Sequence, residues 1–351
     1  GTNSLSDPIA VNATGALTGT VNGYTPTASN MQPFNRIING AMTIDQRNAG
    51  ASVTATNGGY TLDRWRTLSS AASKFTVQRS TTAPTGFIYS ALITSSSAYA
   101  VGVSEAFVIE QVIEGFNISD LGWGTANAVP ATLTFQVRSS LTGTFGGVIK
   151  PASYDYTFPF TYTIAVANTW ETKTINVAGP TVATFGTGIT DGARVMFGLG
   201  VGSTSSGTAD GTWGSGDFYS ATGATSVVGT SGATFYITGV QLEAGSTASP
   251  FAHENYGDTL QKCQRYYQTL SAIANAGYAS GNNESIMSSL PFKTSMRSAP
   301  TVTITSLGNQ SRLQAFTANG ATVDGVWLWS TASSSGFAGV YNATATAVAE
   351  L

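Results

Sequence analysis

The chain has 351 residues, long enough for two domains with cores of their own. Charged residues make up 9%, against about 25% in typical soluble domains, and the net charge of −3 leaves no basic footprint for nucleic acid. No stretch approaches the roughly 20 apolar residues of a membrane-spanning helix, and a single cysteine, Cys263, rules out an internal disulfide.

Ser, Thr, Asn and Gly replace the missing charge, while 14 Tyr, 17 Phe and 6 Trp supply enough apolar area to build cores. The opening GTNSLSDPIA has neither a positively charged nor an apolar region, so it predicts no signal peptide. Residues 1–35 read as a polar leader, either a linker or an arm that docks on a neighbour. From Asn35 the character changes. NRIINGAMTIDQR offers an apolar pair, a glycine turn and a second strand, and GYTLDRWRTLSS follows with Leu62 and Trp65 close together.

Strand-like runs then recur between Gly, Pro and Asn punctuation: KFTVQRS, AFVIEQVIE, ATLTFQVRSS, YDYTFPFTYTIAV, WETKTINV, ARVMFGLGV and ATFYITGVQLE. Val, Ile, Thr, Phe and Tyr dominate them, and helix-period stretches are almost absent. The pattern predicts a mainly β chain, with an antiparallel sandwich or jelly roll over residues 36–253. In the last of these strands, alternation puts Tyr236, Thr238, Val240 and Leu242 on one face, and Ile237 and Gln241 on the other.

Pro250 and Phe251 break the sandwich. The spacing of Leu260, Cys263, Tyr267 and Leu270 predicts a short helix over 258–270 that lays these side chains on a neighbour. With Arg265 and Tyr266, this stretch reads as a junction to a small β-rich tip, residues 254–351. Cys263 is expected to be a small buried hydrophobe rather than a reactive thiol.

Two places suit a ligand. The 203–222 loop is Gly/Ser-rich yet carries Trp213, Phe218 and Tyr219 as stacking rings, with Asp210 and Asp217 as hydroxyl acceptors. The second is the tip, where Trp327, Trp329, Phe337 and Tyr341 cluster; alternation puts Trp327 and Trp329 on one strand face, which assigns them to a core or a subunit seam.

His253 is the one histidine and has no nucleophile elbow near it, so it reads as a hydrogen-bonded hinge residue, and a His/Cys metal site fails on numbers. Glu105, Glu110 and Glu114 are the candidates for a carboxylate pair, but Glu110 and Glu114, four apart on one strand face, read as edge or interface charges. No EF-hand loop and no glycine-rich phosphate cradle is present. The expectation is a protein without catalytic residues, metal or cofactor.

Several stretches together resemble the C-terminal portions of tailed-bacteriophage tail fibre proteins. They are NRIINGAMTIDQRNAG with YTLDRW, VIEQVIEGFNISDLGWG with ATLTFQVRSS, YITGVQLEAGSTASPF with LQKCQRYYQ, LPFKTSMRSAPTVTI and the closing AEL. The shared positions fall on Asn39, Gly40, Asp63, Trp65, Glu110 and Gln111, then on Gly239, Gln241, Glu243, Pro250 and Phe251, and on Cys263, Gln264, Arg265, Tyr266 and Tyr267. FAHENYG departs from the pattern, in which one or two Arg commonly follow the position of Phe251.

The resemblance implies a carbohydrate-binding-module-like jelly roll with a β tip. It also implies a virion location, a homotrimer made in the bacterial host cytoplasm, attachment to other virion proteins through the N-terminal region, and adsorption to host surface polysaccharide or lipopolysaccharide. The shared positions are implied to be scaffold. The alternatives are a structural virion protein without glycan affinity and a polysaccharide-degrading tailspike; the latter's solenoid period is absent from the sequence.

Overall fold

The computed structural model describes residues 35–351 apart from Tyr154, together with a short pairing of Ala10–Val11 with Leu17–Thr18. Beyond that pairing, the leader expected over residues 1–35 lies outside the described residues as far as residue 34.

Two antiparallel sheets face each other. The first has seven strands in the order Gly214–Ser215, Tyr156–Ile164, Gly143–Lys150, Asp191–Val201, Ala106–Glu114, Trp65–Ser69 and Gly59–Leu62. The second has six: Glu171–Val177, Ala131–Ser139, Thr234–Ala244, Ser90–Ser95, Phe75–Ser80 and Val53–Thr54. Every strand-like run named above from KFTVQRS onward falls on one of these strands. Alternation sends Phe107 and Ile109 into the shared core with Phe135, Phe197, Phe235 and Trp65, while Val108 and Glu110 point to the outer face of the seven-stranded sheet.

Two local expectations fail for identifiable reasons. NRIINGAMTIDQR forms turns, not strands. Asn39 lies at φ 59°, donates to the Ile44 and Asp63 carbonyls and accepts from the Ile44 amide, so its side chain supplies the bonds a ladder would have made. The next residue, Gly40, passes so close to Val240 that a Cβ would collide with its carbonyl, and Gly40→Ala is therefore expected to destabilise the sandwich measurably in a urea titration.

In Thr234–Ala244 the alternation changes sense at a bulge between Thr238 and Gln241, where Gly239 has φ +60°. Phe235 and Ile237 point inward before it, Val240 and Leu242 after it, and Tyr236 lies outside against Trp170.

The helix is shorter than its side-chain spacing predicts. It spans Tyr256–Gln264, and Tyr267–Ala279 is a strand laddered along Gly336–Val348. Tyr267 and Leu270 therefore belong to a sheet; the tertiary ladder overrides a helical period that only four residues carried. The helix buries Thr259, Cys263 and Gln264, and Leu260 is half-buried.

Beyond the helix, Tyr267–Ala279, Gly336–Val348 and Thr301–Ser306 form one sheet, and Ser285–Pro291, Gly325–Ala332 and Leu313–Asn319 another. They share a core of Leu270, Ile273, Phe316, Leu328 and Val340. No helix among the described residues is long and apolar enough to cross a membrane.

Candidate functional site

The hinge joins the sandwich to the C-terminal sheets through charge held out of water. Glu350 pairs with Arg64 and with Arg47 at 2.6 Å, and the Arg64 and Glu350 side chains are only 1% and 7% exposed. Arg64 also donates to the Val112 carbonyl at 2.5 Å and lies 3.6 Å from the centre of the Tyr266 ring. Arg47 covers the Tyr267 ring at 3.7 Å. The Leu351 carbonyl accepts from Tyr60 and Arg66, and Arg297 grips the Ala349 and Glu350 carbonyls.

Of the junction residues read from sequence, Arg265 and Tyr266 both bond to Glu114, and Tyr267 sits under Arg47. Glu114 is thus an interface charge. Glu110 is fully buried in a central strand, paired with Arg66 at 2.5 Å, so the edge assignment fails for it. Sequence reasoning missed Arg64, Arg47 and Glu350. Only Arg64 carried a local signal, a charge beside Trp65 in a chain with little charge; Arg47 and Glu350 have no aromatic neighbour in sequence and fall in the stretches NRIINGAMTIDQRNAG and AEL that carry the resemblance.

Burial pushes the Glu114 carboxyl up, but its hydrogen bonds from Arg265 and Tyr266 outweigh this and hold it below the ordinary glutamate range. A depressed carboxylate stabilises the fold above its unfolded value of about 4.3 and loses that contribution as pH falls through its lower folded value. Glu114→Gln is therefore expected to be less stable than the parent at pH 7, with the difference closing toward pH 3 in parallel urea titrations. Cys263 is buried, and burial pushes its thiol well above the ordinary range. Cys263→Ser should cost about 1–3 kcal/mol by burying a hydroxyl with no partner made for it beside the Arg47, Arg64 and Glu350 charges, and a bulky thiol reagent should label the native protein slowly.

The loop residues divide among three settings. Residues 218–220 lie against the outer face of the seven-stranded sheet, where Phe218 and Tyr219 pack with Val108, Val148 and Met196 and a Cβ on Gly146 or Gly198 would strike Ser220, while Gly214–Ser215 is the sheet's edge strand. Asp217 accepts from buried Lys150 at 2.6 Å and from Tyr219 at 3.0 Å, and Asp217 and Tyr219 share a hollow with Asn57, Ser69, Ser70 and Ser104. Asp210 and Phe218 line a different hollow, and Asp210 closes a local turn by accepting from Thr212. Trp213 lines neither. It is half-buried, stacks on Tyr156 at 5.8 Å with an interplanar angle of 10°, meets Trp123, Phe158 and Phe185, and donates to the Ala178 carbonyl.

At the tip the core half of the expectation fails. Trp327 is 53% exposed and Trp329 40%, whereas Trp65 and Trp123 are buried and Trp170 and Trp213 are half-buried. The shared face is the predicted one, but in the described chain it is turned to solvent, not into a core. The central strand is flanked on that face by Ser289 and Asn319 beside Trp327, and by Met287 and Thr317 beside Trp329. None of the residues of these three strands is charged. On the neighbouring sheet, Phe337 stacks on Tyr341 at 6.5 Å and pairs across strands with Tyr278, which is 76% exposed.

His253 packs by its ring against Phe87 and Phe251. Among the described residues no group of three or more His, Cys, Asp or Glu side chains is placed to hold a metal ion.

No protein-family model and no curated protein matches this chain. Solved structures similar to it include the enzymatically active domain of bacteriophage CBA120 tailspike protein 4, at 14% identity and TM-score 0.34, with 61% of this chain covered. The match spans 22% of that tailspike chain. The CBM22-1 xylan-binding domain of Paenibacillus barcinonensis is 8% identical with TM-score 0.29, covering 57% of this chain and 99% of that one. A family 11 carbohydrate-binding module from Clostridium thermocellum, solved with a mixed-linked tetrasaccharide, is 8% identical with TM-score 0.28, covering 59% and 100%. At such TM-scores the likeness decides neither fold nor function; the mainly β, antiparallel sandwich architecture rests on the strand pairings described above.

Proposed function

We propose that this chain is the host-facing part of a bacteriophage tail fibre and adsorbs to polysaccharide or lipopolysaccharide on the host surface. One observation carries the glycan part of the reading: the chain's most exposed tryptophans stand on a face without charge, among hydroxyl and amide side chains. Ring faces stack on the C–H surfaces of sugars, while neutral polar groups exchange hydrogen bonds with hydroxyls. The buried charge clamp at the hinge fits the same role, because a receptor-binding tip must transmit its position to the rest of a fibre. The tail-fibre resemblance of the sequence supports the virion setting. The same reading has the chain as a homotrimer joined to other virion proteins through residues 1–35, with no catalytic step and no cofactor.

The test is adsorption of the purified chain to intact candidate host cells, with competition by polysaccharide extracted from them. The reading predicts saturable binding that the extract abolishes. A structural virion protein would bind none of the cells, and light scattering that returns a stable monomer at micromolar concentration would remove the trimer.

A further inference from the structure

The hollow beside Trp327 extends the platform in a way that selects a ligand class. Its volume is about 310 Å³, lined by Trp327 and Pro291, by Ser289, Thr322 and Asp324 as polar groups, and by Leu290 and Val326, whose side chains pack into the core behind it. That volume lies at the small end of ligand pockets, enough for one or two sugar units. Asp324 is exposed and accepts from Ser295 through one carboxylate oxygen. Gly320 lies at one end at φ +61°, a backbone conformation that suits glycine, and a Cβ there would make ordinary contact, 3.4 Å, with the Trp327 ring edge.

We propose that this sheet face, with its hollow, is a subsite for a neutral glycan, one pyranose seated in the hollow against Trp327 and the next laid across Trp329; this rests on the glycan-binding reading above. Residues two apart on a strand are roughly 6.6 Å apart, so the two rings offer consecutive stacking positions along one line. Ser289, Asn319 and Thr317 flank that line and meet equatorial hydroxyls, with Asn319 already donating to Thr317 at 3.0 Å. The one charge lining the hollow is the Asp324 carboxylate, which accepts from a sugar hydroxyl and repels a carboxylated or sulfated ligand.

A second copy of the chain fits this face less well. The apolar strip of Trp327, Trp329 and Met287 is narrow and bordered by Ser, Thr and Asn, whereas permanent subunit interfaces are broad and mostly apolar.

The experiment places the full chain on an array of neutral, carboxylated and sulfated glycans, and then measures Kd for the best ligand with three variants. Trp327→Ala and Trp329→Ala should each weaken binding by about 30-fold or more, as buried aromatic anchors do. Tyr278→Ala, on the other sheet, should leave it unchanged. Ligands should be confined to neutral glycans. Binding that survives both tryptophan substitutions, or that favours anionic ligands, overturns the subsite and leaves the glycan-binding reading standing. A parent chain that binds neither array nor cells overturns both. Sedimentation that shows the parent as an oligomer and the tryptophan variants as monomers assigns the face to a subunit seam and also overturns the subsite.

Discussion

Glu350→Ala is expected to lower stability by about 3–5 kcal/mol, because it leaves the Arg64 guanidinium in a buried site without its carboxylate. Arg64 cannot escape to water: its side chain is 1% exposed, held by the Val112 carbonyl and packed on Tyr266. Arg47 loses the same partner. Water must enter the seam or the segment around Glu350 must detach, and detachment also releases the carbonyls that Tyr60, Arg66 and Arg297 hold. By contrast, breaking the exposed pair of Lys262 with Glu254 by Lys262→Ala should cost less than about 1 kcal/mol. Urea unfolding of the two variants side by side checks the contrast. Equal midpoints would mean that the hinge clamp contributes nothing beyond a surface pair.

Trp213→Ala should cost about 2–4 kcal/mol, through lost ring packing and a cavity among Trp123, Tyr156, Phe158 and Phe185. The glycines around it in sequence made it look like a loop-borne platform. Three-dimensionally it closes one end of the sandwich core. The expected signature is a melting temperature lowered by several degrees, with cell adsorption retained once the variant is folded. Adsorption lost at an unchanged melting temperature would instead make Trp213 a ligand platform.

The sandwich was legible because period-two alternation and β-branched residues act locally, and each strand states its own inward face. Thr234–Ala244 shows the limit: a single glycine at positive φ reverses the alternation, and no count of apolar residues reveals where. The junction was legible as a place but not as chemistry. Arg265, Tyr266 and Tyr267 were readable near a helix, whereas Arg64 and Glu350 meet only because the fold brings positions 286 apart together. At the tip, alternation correctly put Trp327 and Trp329 on one face. Whether a strand face meets a core or solvent depends on the third sheet element, which sequence does not state; here the core lies on the Val326 and Leu328 side.

The most direct test of the account is acrylamide quenching of tryptophan fluorescence, with and without polysaccharide extracted from a host to which the chain adsorbs. Only two of the six tryptophans are freely exposed, so quenching of the unliganded protein reports chiefly on Trp327 and Trp329. The account predicts that saturating polysaccharide reduces the accessible fraction strongly, and that a Trp327→Phe, Trp329→Phe double variant shows little quenching in either state. Quenching unchanged by polysaccharide that is demonstrably bound would contradict it.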